Sequence, residues 1–180
     1  MGLYDRAAEN HGRALAGRTI PGGLLDINVR VAWGRALFCS VIADNKTPRK
    51  ALGYYDVEGR RLHFASGQTK ATAPGPDDYA ELPDGLLPAR VLREAAEIGA
   101  LLGRTEDYAR FDFLYDGNKL YGGEVTVYPA FGLSPCTPEG GTGPDTMVNE
   151  AWDLRRSWFL STPQRGWAAL YAAALKAALD

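Results

Sequence analysis

The stretch from Tyr108 to Pro129, YARFDFLYDGNKLYGGEVTVYP, carries the side chains best suited to chemistry. Asp112 and Glu124 are its paired acids, with Arg110 two positions before the first and Thr126 two positions after the second. Phe111, Phe113 and Leu114 read as strand, Asp116, Gly117 and Asn118 supply turn chemistry, and Leu120 to Tyr128 return with β-branched and aromatic residues, so a hairpin is expected. Ionised carboxylates that meet across a hairpin repel each other, and a bound divalent cation removes the conflict. Mg²⁺ suits such a pair because it takes few protein ligands and fills its shell with water and phosphate oxygens. Arg110 is placed to neutralise a transferring phosphoryl group.

Register decides whether the acids meet. Arg110 and Asp112 share one face of the first strand, and Glu124 and Thr126 share one face of the second. A two-residue loop at Asp116-Gly117 or Gly117-Asn118 puts Asp112 and Glu124 on opposite faces. A three-residue loop from Gly117 to Lys119 sets them directly opposite one another, so the metal reading expects an odd-length loop. The plain alternative is a solvated sheet face on which the two acids are exposed or paired to Arg110 or Lys119.

The elements around this hairpin follow from periodicity. Ile27, Val29 and Val31 alternate with Asp26, Asn28 and Arg30, and Leu37 to Ile42 resumes as strand after Trp33-Gly34-Arg35. Ala51 to Val57 and Arg61 to Ala65 form a further strand pair that holds His63, which makes an antiparallel meander by adjacency. Ser66 to Pro88 is a long Pro/Gly/Asp-rich connection. Residues 88–102 predict a helix with Val91, Leu92, Ala95, Ile98 and Leu102 on its apolar stripe. Earlier, Tyr4 to Ala16 reads as a short helix weakened by Gly12. After the hairpin come a second Pro/Gly-rich loop, a Trp-rich segment from Asn149 to Leu160, and a helix capped by Thr162 and Pro163 with an amphipathic stripe from Trp167 to Ala178. The architecture expected is one α+β domain, an antiparallel sheet flanked by helices.

Composition narrows the function classes. The 180 residues carry a net charge of −2 with scattered basic side chains, which gives no nucleic-acid footprint. Cys39 and Cys136 fit no zinc spacing and read as reduced thiols. Neither His11 nor His63 completes a Ser-His-Asp or Cys-His arrangement. No Gly-rich phosphate loop is present, and no apolar stretch suggests a leader or a membrane span, so a cytoplasmic protein is expected.

The residues already named resemble a known pattern. Arg110-Phe111-Asp112, then a turn, then Glu124-Val125-Thr126-Val127-Tyr128-Pro129 is similar to the Arg-x-Asp and Glu-x-Asn-x-x-Pro strands of ATP-grasp ligases. Within that superfamily the chain looks most like the teichuronopeptide-biosynthesis, or TupA-like, branch. That branch reads RVDfY, a short turn and iyFGEiTfyPasG where this chain reads ARFDFLYDGNKLYGGEVTVYPAFG, and it too has Thr in place of the Asn ligand. The resemblance extends to the helix from Leu86 to Leu102 and, more weakly, to Leu24 through Tyr55, where DINVRVAWGRALF is similar to an Asp-Tyr-Lys/Arg strand and an Asn-Gly turn.

The resemblance implies the C-terminal lobe of an ATP-grasp fold that binds ATP and Mg²⁺. Asp112 and Glu124, with Thr126, would hold the metal, Arg110 would contact the phosphates, and Asp26 and Arg30 would lie near the nucleotide or acceptor. The implied activity activates a carboxylate as an acyl phosphate and joins it to an amine, in the biosynthesis of a cell-surface polysaccharide or polymer. In the family an earlier lobe supplies lysines and a Gly-rich flap, whereas this sequence starts near the family's hinge, with Arg18 to Leu24 where related proteins have a strand ending in an acid. A partner chain or a second copy is then expected to complete the site. The alternative is a non-catalytic half that binds nucleotide or a partner protein.

Overall fold

Strict alternation of apolar and polar residues organises the central strands. In the computed structural model, which describes residues 14–15, 18–19, 23–47, 49–63, 80–129 and 144–179, β3 (Leu25–Ala32) buries Leu25, Ile27, Val29 and Val31 completely and turns Asp26, Asn28 and Arg30 to the other face. β8 (Ala109–Tyr115) repeats the pattern, with Ala109, Phe111, Phe113 and Tyr115 buried and Arg110, Asp112 and Leu114 turned away. The two strands pair antiparallel, Val29 opposite Phe111 and Asn28 opposite Asp112, so their apolar rows coincide, and so do their polar rows.

Around them, β4 (Arg35–Ala43), β5 (Ala51–Tyr55), β6 (Arg61–Leu62) and β9 (Leu120–Val127) complete a sheet in the order β6-β5-β4-β3-β8-β9. The sequence did not announce β7 (Ala80–Glu81), a short strand that runs parallel beside β5. Trp33 and Gly34 join β3 to β4, both at positive φ (53° and 73°), the two-residue hairpin geometry that matches strand twist. Arg35 belongs to the strand rather than to the connection.

Helix α1 (Ala89–Leu102) lies on the apolar face, with Val91, Leu92, Ala95 and Ala96 buried against the sheet. Each fully buried aliphatic side chain there contributes about 1.5–3 kcal/mol, which makes this layer the main source of stability. Leu102, expected on the stripe, is instead exposed, because in the last turn it is Gly99 and Gly103 that lie against Val29, Val31 and Phe111 of the sheet. Among the described residues the polar face is covered at one end, where α2 (Pro144–Ala151) brings Met147, Val148, Ala151 and the following Trp152 against Ala32, Trp33, Phe38 and Tyr108.

Other expectations change at the ends of the chain. Ala14–Leu15 (β1) pairs with Arg18–Thr19 (β2) as a small ladder, which ends the expected N-terminal helix before residue 14; residues 1–13 lie outside the described set. Thr162 does not cap the last helix. Its hydroxyl donates to the Trp158 carbonyl at 2.6 Å and closes α3 (Trp158–Ser161), and α4 (Trp167–Leu179) begins after Gly166 at φ 58°. The amphipathic packing expected of α4 is not found: only Ala172 is buried, while Trp167, Leu170 and Tyr171 are exposed. Trp158 is exposed as well. No helix among the described residues is long and apolar enough to cross a membrane.

Candidate functional site

The acids at 112 and 124 reach one face by a route the loop-length argument did not foresee. Tyr115 pairs with Leu120, Leu114 with Tyr121 and Phe113 with Gly122, the register of an even loop around Gly117-Asn118, held by Asp116 Oδ1, which accepts from the backbone N–H of Asn118 (2.8 Å) and Lys119 (2.7 Å). Continued unchanged, that register would put Glu124 on the opposite face from Asp112. A β-bulge intervenes: Gly123 and Glu124 together oppose Asp112, and beyond them Phe111 pairs with Val125 and Arg110 with Thr126. Thr126 thus shares the face of Arg110, and Glu124, two residues earlier, returns to the face of Asp112. The expected odd-length loop is therefore wrong, because the turn is even and one extra residue in β9 restores the phase.

Gly123 makes the bulge possible. A Cβ there would stand 2.8 Å from the backbone carbonyl oxygen of Asp112, closer than any side chain tolerates, whereas a Cβ at Gly122 would meet nothing within 4 Å. The Gly-Gly pair before Glu124 was the sequence signal for this geometry, since glycine inside a strand often marks a bulge or a close backbone approach.

The polar face gathers Asp26, Arg30, Arg110, Asp112, Glu124 and Thr126. Arg110 grips Asp112 through two charge-assisted hydrogen bonds, Nε to Oδ1 and Nη2 to Oδ2, each 2.6 Å, and Nη2 also donates to Thr126 Oγ1 at 3.2 Å. Burial alone would pull the Arg110 guanidinium down; the hydrogen bonds and charge of Asp112, with Glu124 adding, outweigh it and hold the group above its ordinary value. The pairing to Arg110 anticipated by the plain reading is thus present for Asp112. Glu124 is exposed beside it.

Asn28 was missed, although its phase between Asp26 and Arg30 places it on this face. Its Nδ2 donates to Asp112 Oδ1 at 2.9 Å from the neighbouring strand, so three donors fix that carboxylate. Asp26 lies two residue pairs along and accepts a short hydrogen bond from Asn45 Nδ2. Its carboxyl is pushed up by burial first; the Asn45 bond opposes this, and the negative charge of Asp112 adds to it.

Arg30 stands directly opposite Arg110 on one side and Phe38 on the other. Its guanidinium is pulled down by burial and by the charge of Arg110, against Tyr108, Asp112 and Tyr54, and its Nη1 is buried without a hydrogen-bond partner among the described residues. No protein-family model matches the chain, and no curated protein or solved structure matches it significantly. The case for the site rests on its residues.

Elsewhere the remaining candidates recede. Cys39 is buried, with its thiol pushed up to about 12 by burial and, secondarily, by Asp56, so it is inert at neutral pH. His63 is exposed just past β6. Cys136 and His11 lie outside the described residues. Among the described residues no three His, Cys, Asp or Glu side chains group as a metal site.

Proposed function

We propose that this chain is a nucleotide-binding lobe of an ATP- and Mg²⁺-dependent ligase that activates a carboxylate as an acyl phosphate and joins it to an amine. One observation carries the reading: the bulge at Gly123-Glu124 returns Glu124 to the face that holds Asp112, Arg110 and Thr126.

The donor set fits Mg²⁺. Asp112 and Glu124 offer hard carboxylate oxygens and Thr126 a hydroxyl, with room left for water and phosphate oxygens. When bound, the ion supplies charge neutralisation at the phosphates and a template for in-line transfer. Arg110 holds Asp112 in a fixed orientation and carries the positive charge that faces the transferred group. Asn28 keeps Asp112 aligned from the adjacent strand. The opposite wall of the nucleotide site comes from another lobe or from a partner chain, and the amine and acid belong to the assembly of a cell-surface polymer.

Calorimetric titration of ATP with and without Mg²⁺, on the wild-type chain and on Asp112→Asn and Glu124→Gln, tests the proposal. Heat of binding that requires Mg²⁺ and weakens at least about tenfold in each variant is expected, a loss of about 1.4 kcal/mol. Equal binding by all three proteins, or none by the wild type, removes the metal assignment.

A further inference from the structure

Helix α4 turns its apolar stripe outward. Trp167, Leu170, Tyr171, Ala174 and Ala178 recur at helical spacing and all stand in solvent, the three large side chains being 86%, 64% and 66% exposed. On the opposite side Ala168, Ala172, Leu175 and Leu179 are buried or half-buried. The short helix α3 adjoins the stripe, since the rings of Phe159 and Tyr171 lie 5.9 Å apart, and it adds Trp158, which is 72% exposed. Single apolar residues on a surface need no explanation. A helical stripe of Trp, Leu and Tyr with nothing over it among the described residues marks a docking surface.

Charge indicates what that surface meets. From Asp153 to Asp180 the sequence holds Arg155, Arg156, Arg165 and Lys176, with no acid between the two at its ends. Asp153 pairs with Arg155 at 2.8 Å, and Arg156 keeps its charge over the Trp33 ring, 4.4 Å from the centroid. The stretch is therefore net positive in a chain that is net negative. A second copy would set this stretch against itself, whereas an anionic surface complements it. Apart from one indole N–H and one phenol O–H the stripe offers no hydrogen-bonding side chain, which a fluid hydrocarbon layer tolerates better than a protein interface does. Trp and Tyr suit the headgroup level, with their polar atoms in the wet layer and arginines reaching the phosphates. The helix spans about 20 Å at 1.5 Å per residue, too short to cross a bilayer but long enough to lie in its surface.

We infer that α4, with Trp158 beside it, docks the protein on an anionic lipid surface, lying in the plane of the headgroups with Trp167, Leu170 and Tyr171 in the apolar boundary. The inference is independent of the proposed activity, because none of these residues belongs to the site around Asp112 and Glu124.

Co-sedimentation of the full chain with lipid vesicles, without Mg²⁺ or ATP, tests it. One set of vesicles holds phosphatidylglycerol and phosphatidylcholine in equal parts, and the other holds phosphatidylcholine alone. The wild type is expected to bind the anionic vesicles, with its Trp emission moving to shorter wavelength, and to bind the neutral ones at least about tenfold more weakly. Arg165→Gln and Lys176→Gln are each expected to weaken binding to anionic vesicles about fivefold, the contribution of one cation near such a surface. The double variant Trp167→Ala, Leu170→Gln is expected to abolish binding at an unchanged Tm, because both side chains are exposed. Leu170→Gln alone, expected to weaken binding about tenfold, covers the case in which the double variant does not fold. A wild type that does not bind, or binding that survives in these apolar variants, overturns the docking surface. Equal binding to neutral vesicles overturns the anionic partner. Sedimentation velocity reads the remaining outcome: a wild-type dimer that the apolar variants convert to monomer assigns the stripe to a second copy and overturns the lipid assignment.

Discussion

Replacing Gly123 by alanine interrogates the bulge with a single methyl group. The added Cβ would stand 2.8 Å from the Asp112 carbonyl oxygen and 3.4 Å from its carbon, and both are backbone atoms that cannot swing aside. Relief requires β9 to move away from β8 or to slip to the register of the turn, so the cost is that of overpacking a tight contact, about 1–3 kcal/mol. Gly122→Ala is the matched control. It has the same chemistry one residue away with nothing within 4 Å, and it is expected to be neutral or to stabilise by up to about 1 kcal/mol through the less flexible unfolded chain. Urea unfolding measures both, with the m-value checked for constancy. A slipped register turns Glu124 to the α1 face, so Mg²⁺-dependent ATP binding is expected to fall in Gly123→Ala and to persist in Gly122→Ala. Equal stability of the two variants would refute the steric argument. A destabilised Gly123→Ala that binds Mg²⁺ and ATP as tightly as the wild type would refute the link between bulge and site.

Asn28→Ala removes a donor to a charged carboxylate and is expected to cost about 1–2 kcal/mol in urea unfolding, while Asn28→Asp, which adds an acid beside Asp112 and Asp26, is expected to cost more at pH 7 than at pH 4. Asp56 is pushed up by burial but held below its ordinary value by the backbone N–H of Arg60, the Arg60 side chain and the Glu58 N–H. Because its folded value is the lower one, its contribution is present above the ordinary carboxylate range and lost as pH falls through the folded value. The urea midpoint is therefore expected to drop on acidification, and Asp56→Asn to flatten that drop. In a Cys136→Ser background, Cys39 is expected to resist iodoacetamide at pH 8 until urea unfolds the chain; rapid labelling of the native protein would contradict its burial.

The strands were legible because alternation is a local property. LDINVRVA and ARFDFLY place their apolar residues on one face whatever they pair with, and the Asp-Gly-Asn turn is equally local. The same phase already put Asp26 and Arg30 on one side of β3, and Arg110 and Asp112 on one side of β8. The final helix was legible as a helix but not as an exposed one, since burial depends on what stands opposite, and α4 meets little besides α3 among the described residues, where the Phe159 and Tyr171 rings lie 5.9 Å apart.

Register and shared faces across distant segments belonged to the tertiary structure. That Asn28 would meet Asp112 across 84 positions depends on how β3 docks against β8, which no short-range pattern encodes. The loop alone predicted the wrong face for Glu124; a steric contact between Gly123 and the backbone of another strand put it right. Likewise Arg30 was singled out only through the resemblance, as a residue near the nucleotide or acceptor, and assembly of the sheet set it against Arg110 with an Nη1 that has no hydrogen-bond partner among the described residues. Residue types and periodicity settled which side chains were available for chemistry. Strand pairing, a sum of contacts between segments far apart in the chain, decided which of them meet.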